Sequence, residues 1–213
     1  MSSEATSRAP LQSRQALSRD SILEAGLRLI DQEGLDAFSI RRLGEELGYS
    51  PMMIYRHVKD KDDLLEQVAS LALGELPVGI GDDPDWRDRL IRVVRELHTG
   101  LQKHPGVTEV IMRRPPPLAS LDRFREAMLQ ALHDGGLSRE KAVDALTALV
   151  CYVLGHAHAY RVRGATDREA EVNRLHSVSR LQFPRLAESA DIYAEHVSGR
   201  AFELGLRAIV DSL

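Results

Sequence analysis

Apolar residues recur every three or four positions along most of the chain, which is the spacing of one face of an α-helix. Ile22, Leu29 and Ile30 show this spacing near the start, and Leu97 and Leu101 show it further along. No stretch alternates apolar and polar residues in the way that a strand does. The pattern predicts an all-α fold with helices at 18–33, 39–47, 50–58, 61–76, 86–103, 106–113, 120–134, 138–163 and 199–212, and a charged loop at 164–181.

Two of the predicted helices are short and lie close together between Ser39 and Val58. Ser39 and Ser50 are residues of the type that caps a helix N-terminus. Gly48 suits the left-handed position that ends a helix, and Pro51 suits the first turn of the next one. A helix-turn-helix of this kind places its second helix in the major groove of DNA. The alternative is an ordinary helical hairpin within an all-helical enzyme.

A break in the helical pattern divides the chain into two regions. It contains Pro77, Gly79, Gly81 and Pro84. We therefore expect a small domain at 18–76, built on three helices that include the helix-turn-helix, and a larger helical domain at 85–213. Residues 1–17 are polar with little apolar periodicity and are expected to form a flexible arm.

The predicted helix 138–163 is apolar on nearly every side, so more than one partner must cover it. One stripe contains Leu149, Tyr152, His156 and Tyr160. A second stripe and the amphipathic final helix would form a four-helix bundle between two subunits. The predicted dimer interface comprises Val143, Leu146, Val150, Val153, Ala157, Phe202, Leu206 and Ile209.

Composition and charge restrict the class of protein and the kind of DNA-binding face it can have. The chain has 213 residues, of which 43% are hydrophobic and 28% charged, and this balance is typical of a soluble globular protein. With no apolar run of ~18 residues and no signal-peptide pattern, we expect a cytoplasmic protein without a membrane partner. The net charge is −4. Cations nevertheless exceed anions between Ser39 and Lys61, so any DNA-binding face is narrow and two copies of it would bind better than one.

The search for catalytic and metal-binding patterns gives no candidate. The single cysteine, Cys151, excludes an internal disulfide and a multi-cysteine zinc site, and its apolar neighbours favour a buried position. His98 and His104, like His156 and His158, are spaced unsuitably for joint ligation on one helix. No GxSxG, HExxH or GxxxxGK[ST] motif is present. We expect no metal, cofactor or enzymatic activity, although a small all-helical enzyme with a cryptic site, or an interaction scaffold, stays open.

A family resemblance strengthens the first interpretation. The stretch ILEAGLRLIDQEGLDAFSIRRLGEELGYSPMMIYRHVKDKDDLL resembles the TetR family of transcriptional repressors. The HPGV and RRPP segments, and FPRL followed by FELGLRAIVDSL, are similar to the tetracycline-repressor branch. This resemblance implies a DNA-binding domain at 18–76 and a ligand-binding and dimerisation domain at 85–213. It also implies a homodimeric repressor that leaves a palindromic double-stranded operator when a small-molecule effector binds.

The resemblance also assigns candidate residues. It implies that Ser39, Tyr55, His57 and Lys61 position the domain on phosphates. Arg41, Met52, Met53 and Arg56 would face the groove, and the helix-capping Ser50 is counted with these DNA-binding residues. The tetracycline repressor holds a magnesium–drug chelate through a histidine, but Met112 stands near the corresponding position here, which implies a different ligand. The candidate pocket residues are inward-facing and partly polar: Leu97, His98, Met112, Met128, Tyr152, His156 and Tyr160.

Overall fold

The computed structural model describes residues 17–74, 76–78, 84–113, 119–164, 168–190, 192 and 199–213. These residues form helices and no strand, which confirms the all-α class. The helices are α1 Arg19–Glu33, α2 Ile40–Leu47, α3 Pro51–Ile54, α4 Lys61–Gly74, α5 Trp86–Lys103, α6 Pro105–Arg113, α7 Ala119–Asp134, α8 Arg139–Gly164, α9 Arg168–His176, α10 Pro184–Glu188 and α11 Gly199–Asp211. Residues 1–16 of the predicted arm and 79–83 of the predicted boundary lie outside the described residues.

Local hydrogen bonds explain where the first helices begin and end. The Ser18 hydroxyl accepts from the backbone N–H of Ser21 at 3.1 Å, and the Ser21 hydroxyl accepts from the backbone N–H of Ser18 at 3.0 Å. This capping box starts α1. Ser39 caps α2 in the same way by accepting from Arg42 N–H at 3.1 Å. Gly48, with φ of 73°, ends α2 in the left-handed region that side chains disfavour.

The helix predicted at 50–58 is shorter than expected. Its α-helical part ends at Ile54, and residues 55–57 form a turn. The Ile54 carbonyl accepts from His57 N–H at 2.9 Å and from Val58 N–H at 3.2 Å. This tightening directs both Ile54 and Val58 into the core, where they are 0% and 3% exposed.

The charged loop predicted at 164–181 was also partly wrong, because α9 occupies 168–176. This helix has few apolar residues, so its sequence shows little helical periodicity. Its Leu175 is buried, and α9 packs on α10.

A single hydrophobic core runs from the N-terminal helices into the C-terminal ones. The long helix α5 lies at its centre and packs against α6, α7, α8 and α11. Helices α1 and α4 pack on α6, and α4 also packs on α7. The two predicted domains therefore share an extensive contact through α6 and α7.

Polar contacts reinforce this junction. One oxygen of the Asp31 carboxylate, at the end of α1, accepts from the backbone N–H of Gly106 at 2.9 Å. The other lies 2.9 Å from Nδ1 of His104. A Cβ atom on Gly106 would lie 2.6 Å from the backbone carbon and oxygen of Ile30, so glycine is required for this close approach.

Helix α8 is incompletely covered by its own chain. Among the described helices, its segment Arg139–Ala159 is long and apolar enough to cross a membrane by length and composition. Its most apolar window has a mean hydropathy of 1.3, and 28% of that window is buried. Most of that window is therefore half-buried or exposed, and its exposed positions carry mostly small residues.

Replacing Gly106 with Ala should destabilise the junction, because the added methyl group must displace α1 backbone atoms. We expect the free energy of unfolding to fall by about 1–3 kcal/mol, as for overpacked cores. Urea denaturation followed by circular dichroism measures this loss. Gly74→Ala is the matched control because nothing lies within 4 Å of the Cβ that it would add. Equal stability of the two variants would contradict the close contact between α6 and α1.

Candidate nucleic-acid interface and internal cavity

The surface around α3 exposes several side chains suited to DNA. Met52 is 78% exposed and Tyr55 is 52% exposed. Arg56 is also exposed, and its Nη1 lies 4.0 Å from the Met53 sulfur. Ser39 and Ser50 are exposed beside them, whereas Met53 and His57 are partly buried. Each of these predicted residues is thus at least partly accessible to solvent.

The two arginines of α2 differ in how strongly carboxylates of the same chain bind them. Arg42 binds Glu33, through two nitrogens, and also Glu46 at 3.3 Å. These contacts raise the pKa of Arg42, chiefly through the hydrogen bond to Glu33. Arg41 is 84% exposed and pairs with Glu45 at 3.2 Å. An exposed pair of this kind contributes little stability, so Arg41 can exchange its partner at low cost.

Lys61 has a structural contact that the sequence did not indicate. Its ammonium group donates to the carbonyl oxygen of Phe38 at 2.7 Å and lies 5.6 Å from the centre of that aromatic ring. This contact attaches the start of α4 to the segment before α2. An ammonium has three N–H donors, so two remain for other acceptors.

A polar network fixes the connection between α3 and α4. The Asp60 carboxylate accepts from the backbone N–H of Asp63 at 2.8 Å, and the Asp63 carboxylate accepts from the backbone N–H of Lys59 at 2.7 Å. The Lys59 N–H is the main cause of the lowered pKa of Asp63, followed by the Gln67 side chain. Gln67 in turn accepts from Arg19 at 2.8 Å. The loop that follows α3 is thereby held to α4, and α4 is held to α1.

An apolar cavity of about 210 Å³ lies within the C-terminal helices. Of the predicted pocket residues, Leu97 and Met128 line it. The described lining residues are Leu97, Ile111, Leu121, Phe124, Arg125, Met128, Val150 and Leu154. Arg125 is the single charged residue among them. Sequence reasoning missed this arginine, because an arginine near a helix start is usually on the solvent side.

Three other predicted pocket residues form a compact aromatic cluster. His98 Nε2 lies 2.9 Å from His156 Nδ1, and the His98 ring stacks on Phe202 at a centroid distance of 3.6 Å. The Tyr152 hydroxyl donates to the carbonyl oxygens of Phe202 at 2.9 Å and Ala201 at 3.2 Å. The histidine spacing along the sequence did not indicate this pair, since it joins two different helices, α5 and α8.

Two predicted pocket residues remain. Met112 is 46% exposed, and the Tyr160 side chain lies outside the described part of the chain.

Burial and charge determine the protonation of this cluster. His98 is 5% exposed, and burial is the main cause that lowers its pKa to about 4, with a smaller contribution from His156. Burial also lowers the pKa of His156. Nearby, Arg95 binds Glu203 through two nitrogens at 2.6 and 2.5 Å and lowers the pKa of that carboxyl group. At neutral pH, both histidines are therefore uncharged, and the ion pair attaches α5 to α11.

The residues predicted for the dimer interface are divided between surface and interior. Val143 is 48% exposed, and Leu146, Val150 and Ile209 are partly buried. In contrast, Val153, Ala157, Phe202 and Leu206 are at most 3% exposed, because the chain's own helices cover them. Their interior position does not fit the interface predicted for them.

A different stripe of α8 is exposed. It consists of residues spaced by four: Val143, Thr147, Cys151, Gly155 and Ala159. Cys151 is thus exposed rather than buried.

Helices α6 and α7 connect the cavity to the N-terminal helices. On α6, Ile111 lines the cavity while Arg113 binds Asp36 in the segment before α2. On α7, Phe124 lines the cavity. The adjacent Arg123 donates to three carbonyl oxygens at the end of α4, those of Leu73, Gly74 and Leu76, at 3.3 to 3.4 Å.

Comparisons with known proteins agree with this arrangement. Residues 22–68 match the family described as bacterial regulatory proteins, tetR family, and residues 80–213 match the tetracyclin repressor-like C-terminal domain. The chain is 31% identical to the transcriptional repressor DrrR1 of Streptomyces coeruleorubidus, over 92% of this chain and 77% of that one. It is 28% identical to the class A tetracycline repressor of Escherichia coli, over 92% and 90% of the two chains.

Solved structures also match the chain over nearly its whole length. The TetR family protein ActR of Streptomyces coelicolor, solved in complex with (S)-DNPA, is 29% identical and has a TM-score of 0.76. The match covers 93% of this chain and 97% of ActR. A second ActR structure, in complex with actinorhodin, is 28% identical with a TM-score of 0.75.

Acid should destabilise the protein through His98. In the unfolded chain this residue binds a proton below about pH 6.5, whereas in the folded chain it stays neutral down to about pH 4. The free energy of unfolding therefore decreases as the pH falls through this range, by up to about 3 kcal/mol. Denaturation curves at several pH values should show a shallower dependence for His98→Gln than for the unchanged protein. His133→Gln, at an exposed histidine, controls for the loss of a histidine. An equal slope in the unchanged protein and His98→Gln would contradict a neutral His98.

Proposed function

Since the chain belongs to the TetR family of bacterial transcriptional regulators, we propose that it is a homodimeric repressor, released from a palindromic operator by a small-molecule effector. It is a ligand-responsive DNA-binding regulator and not an enzyme. In this proposal, residues 18–76 bind DNA and residues 85–213 bind the effector and the second subunit. Because its target is chromosomal DNA, we place the protein in the cytoplasm.

The two-sided contacts of α6 and α7 are the observation that carries this proposal. Each helix contributes a residue to the cavity and an arginine to the N-terminal helices. A ligand that alters the position of either helix must therefore alter the position of α4 or of the segment before α2. Binding at the two sites is then thermodynamically linked, and a coupling of only ~1–3 kcal/mol changes operator affinity 5- to 150-fold.

The DNA contacts are proposed from the exposure and chemistry of the α3 face. Arg56 and Arg41 can each donate two hydrogen bonds to guanine, and Met52 can contact a thymine methyl group. Tyr55 and the free donors of Lys61 are suited to phosphate oxygens. The remaining predicted residues, Ser39, Ser50, Met53 and His57, support this face from its edges.

A second copy of the chain is proposed as the partner that covers α8. Helix α11 packs on α8, and its Leu204 is 74% exposed between the exposed Ala201 and Ala208. Two copies of α8 and α11 would form a four-helix bundle. Such a dimer must hold two α3 faces roughly 34–36 Å apart to reach successive major grooves.

The cavity is the proposed effector site. It is apolar and enclosed by α5, α6, α7 and α8, and pockets that bind small molecules usually have these properties. The ligand complexes of ActR support an organic effector for this chain as well. The absence of a histidine at Met112 supports an effector other than a magnesium–tetracycline chelate.

Arg56→Ala tests the DNA-binding face. Selection of bound fragments from genomic DNA by the unchanged protein should enrich a palindrome, on which the variant should lose about 1–3 kcal/mol of binding free energy. The loss should be greatest for operators that keep the preferred base at one position of each half-site. Arg185→Ala, at an exposed arginine distant in sequence from α3, is the control and should bind normally. Unchanged operator binding by Arg56→Ala would contradict the proposed contact.

Leu204→Glu tests the dimer interface. A buried unpaired carboxylate in the bundle is costly, so the variant should sediment as a monomer at concentrations where the unchanged protein is a dimer. Leu181→Glu introduces the same change at a residue that is 97% exposed outside α8 and α11, and it should leave the dimer intact. Dimers of Leu204→Glu that are as stable as those of Leu181→Glu would exclude this interface.

A further inference from the structure

We infer that the effector is a compact aromatic carboxylate whose anionic group binds Arg125. The inference rests on the proposed role of the cavity as the effector site and adds the chemical class of the ligand. It follows from three properties of the cavity: its volume, its apolar walls and the position of its one described charge.

The volume and the walls define the body of the ligand. An apolar cavity of about 150 Å³ is large enough to hold benzene. The present cavity, of about 210 Å³, therefore accommodates one ring or two fused rings. Phe124 provides an aromatic surface, Met128 a polarisable thioether, and Leu97 and Ile111 complete an apolar environment.

The charge defines the functional group. Arg125 is the single charged residue among the described residues that line the cavity, and no described carboxylate lines it. An amine in this cavity would meet the like charge of Arg125, and no carboxylate among the described lining residues would pair with it. A neutral ligand would leave the guanidinium without an additional partner. A carboxylate matches the fork of N–H donors that a guanidinium presents.

The existing partner of Arg125 is one that a ligand can replace. Its Nη1 donates to the Asp122 carboxylate at 2.7 Å, one turn earlier on α7, and that carboxylate is 68% exposed. Exposed pairs of this type contribute little stability. By comparison, Arg123 and Arg95 hold neighbouring helices through several hydrogen bonds. Arg125 can therefore turn toward a bound anion without loss of a contact between helices.

The position of Arg125 also connects the anion to DNA release. It is two residues from Arg123, which binds the carbonyl oxygens at the end of α4. An anion that draws Arg125 toward the cavity thus acts on the part of α7 that holds α4. A neutral ligand of the same shape lacks this interaction.

The test compares three probes of one shape: 1-naphthaleneacetate, 1-naphthaleneethanol and 1-naphthaleneethylamine. Binding to the full-length protein without DNA is measured by isothermal titration calorimetry. The acetate should bind about tenfold more tightly than the alcohol, as expected for one hydrogen bond between charged groups. The amine should bind more weakly than both.

Three variants assign the preference to Arg125. Arg125→Gln should bind the acetate and the alcohol equally, whereas Asp122→Asn should bind the acetate more tightly because the competing carboxylate is absent. Arg185→Gln removes an arginine from a similar exposed pair, with Glu188 at 2.8 Å, and should bind all three probes normally. Thermal melts of each variant check that the fold is intact.

The outcomes separate this inference from the proposed function. Equal affinity of the unchanged protein for acetate and alcohol, binding of none of the probes, or a preference for acetate that survives in Arg125→Gln would each overturn the inference. Displacement of operator DNA is measured separately by fluorescence anisotropy. If the alcohol binds and releases DNA as well as the acetate does, the proposed function stands and the inference fails. If the acetate binds through Arg125 but leaves the operator bound, the inference about the site stands and effector-controlled release fails.

Discussion

The contact between the end of α1 and the start of α6 determines how the two parts of this protein are arranged. One carboxylate, that of Asp31, binds both the backbone N–H of Gly106 and the ring of His104. The absence of a side chain at Gly106 brings α6 against the backbone of Ile30. Interiors packed this closely do not deform gradually, so a displacement of α6 is transmitted to α1 as a whole. The regulator thus needs no separate hinge between its cavity and its DNA-binding face.

The charged residues of the N-terminal region are of two kinds: some hold helices together, and others are exposed and weakly paired. Arg42 joins α2 to α1 by donating to Glu33, and Gln67 joins α4 to α1 by accepting from Arg19. Arg41 and Arg56 are exposed and make weaker contacts, to Glu45 and to the Met53 sulfur. This difference suits a protein with a net charge of −4 that must still bind a polyanion. These exposed cations can reorient while the helices that position them remain fixed.

Much of the fold could be predicted from local sequence patterns, because helix caps and apolar spacing act over a few residues. Ser18, Ser39 and Gly48 end or begin helices where the pattern places them. The short length of α3 was not predicted, since the change from helix to turn after Ile54 depends on the burial of Val58 in the core. Helix α9 was missed because its apolar residues are too few to produce a periodic signal.

The candidate sites were harder to predict, because they depend on contacts between distant helices. His98 and His156 are 58 residues apart in sequence, and their hydrogen bond follows from the packing of α5 on α8. The rotation of a helix that is apolar on all sides is likewise not determined by its own sequence. For this reason Val153 and Ala157, predicted to meet a partner, lie in the interior, whereas Cys151 faces outward.

The three faces of α8 explain why this helix has no polar side. Leu149 and Val153 fill the core, Val150 and Leu154 line the cavity, and the stripe through Cys151 faces outward. In the proposed dimer, a ligand would therefore contact the face of α8 next to the one that binds the partner subunit. Because α8 is a single rigid element, a ligand that shifts it changes the orientation of one subunit relative to the other. The spacing of the two DNA-binding faces then responds to the cavity by two routes, through α6 and α7 within each subunit and through α8 between subunits.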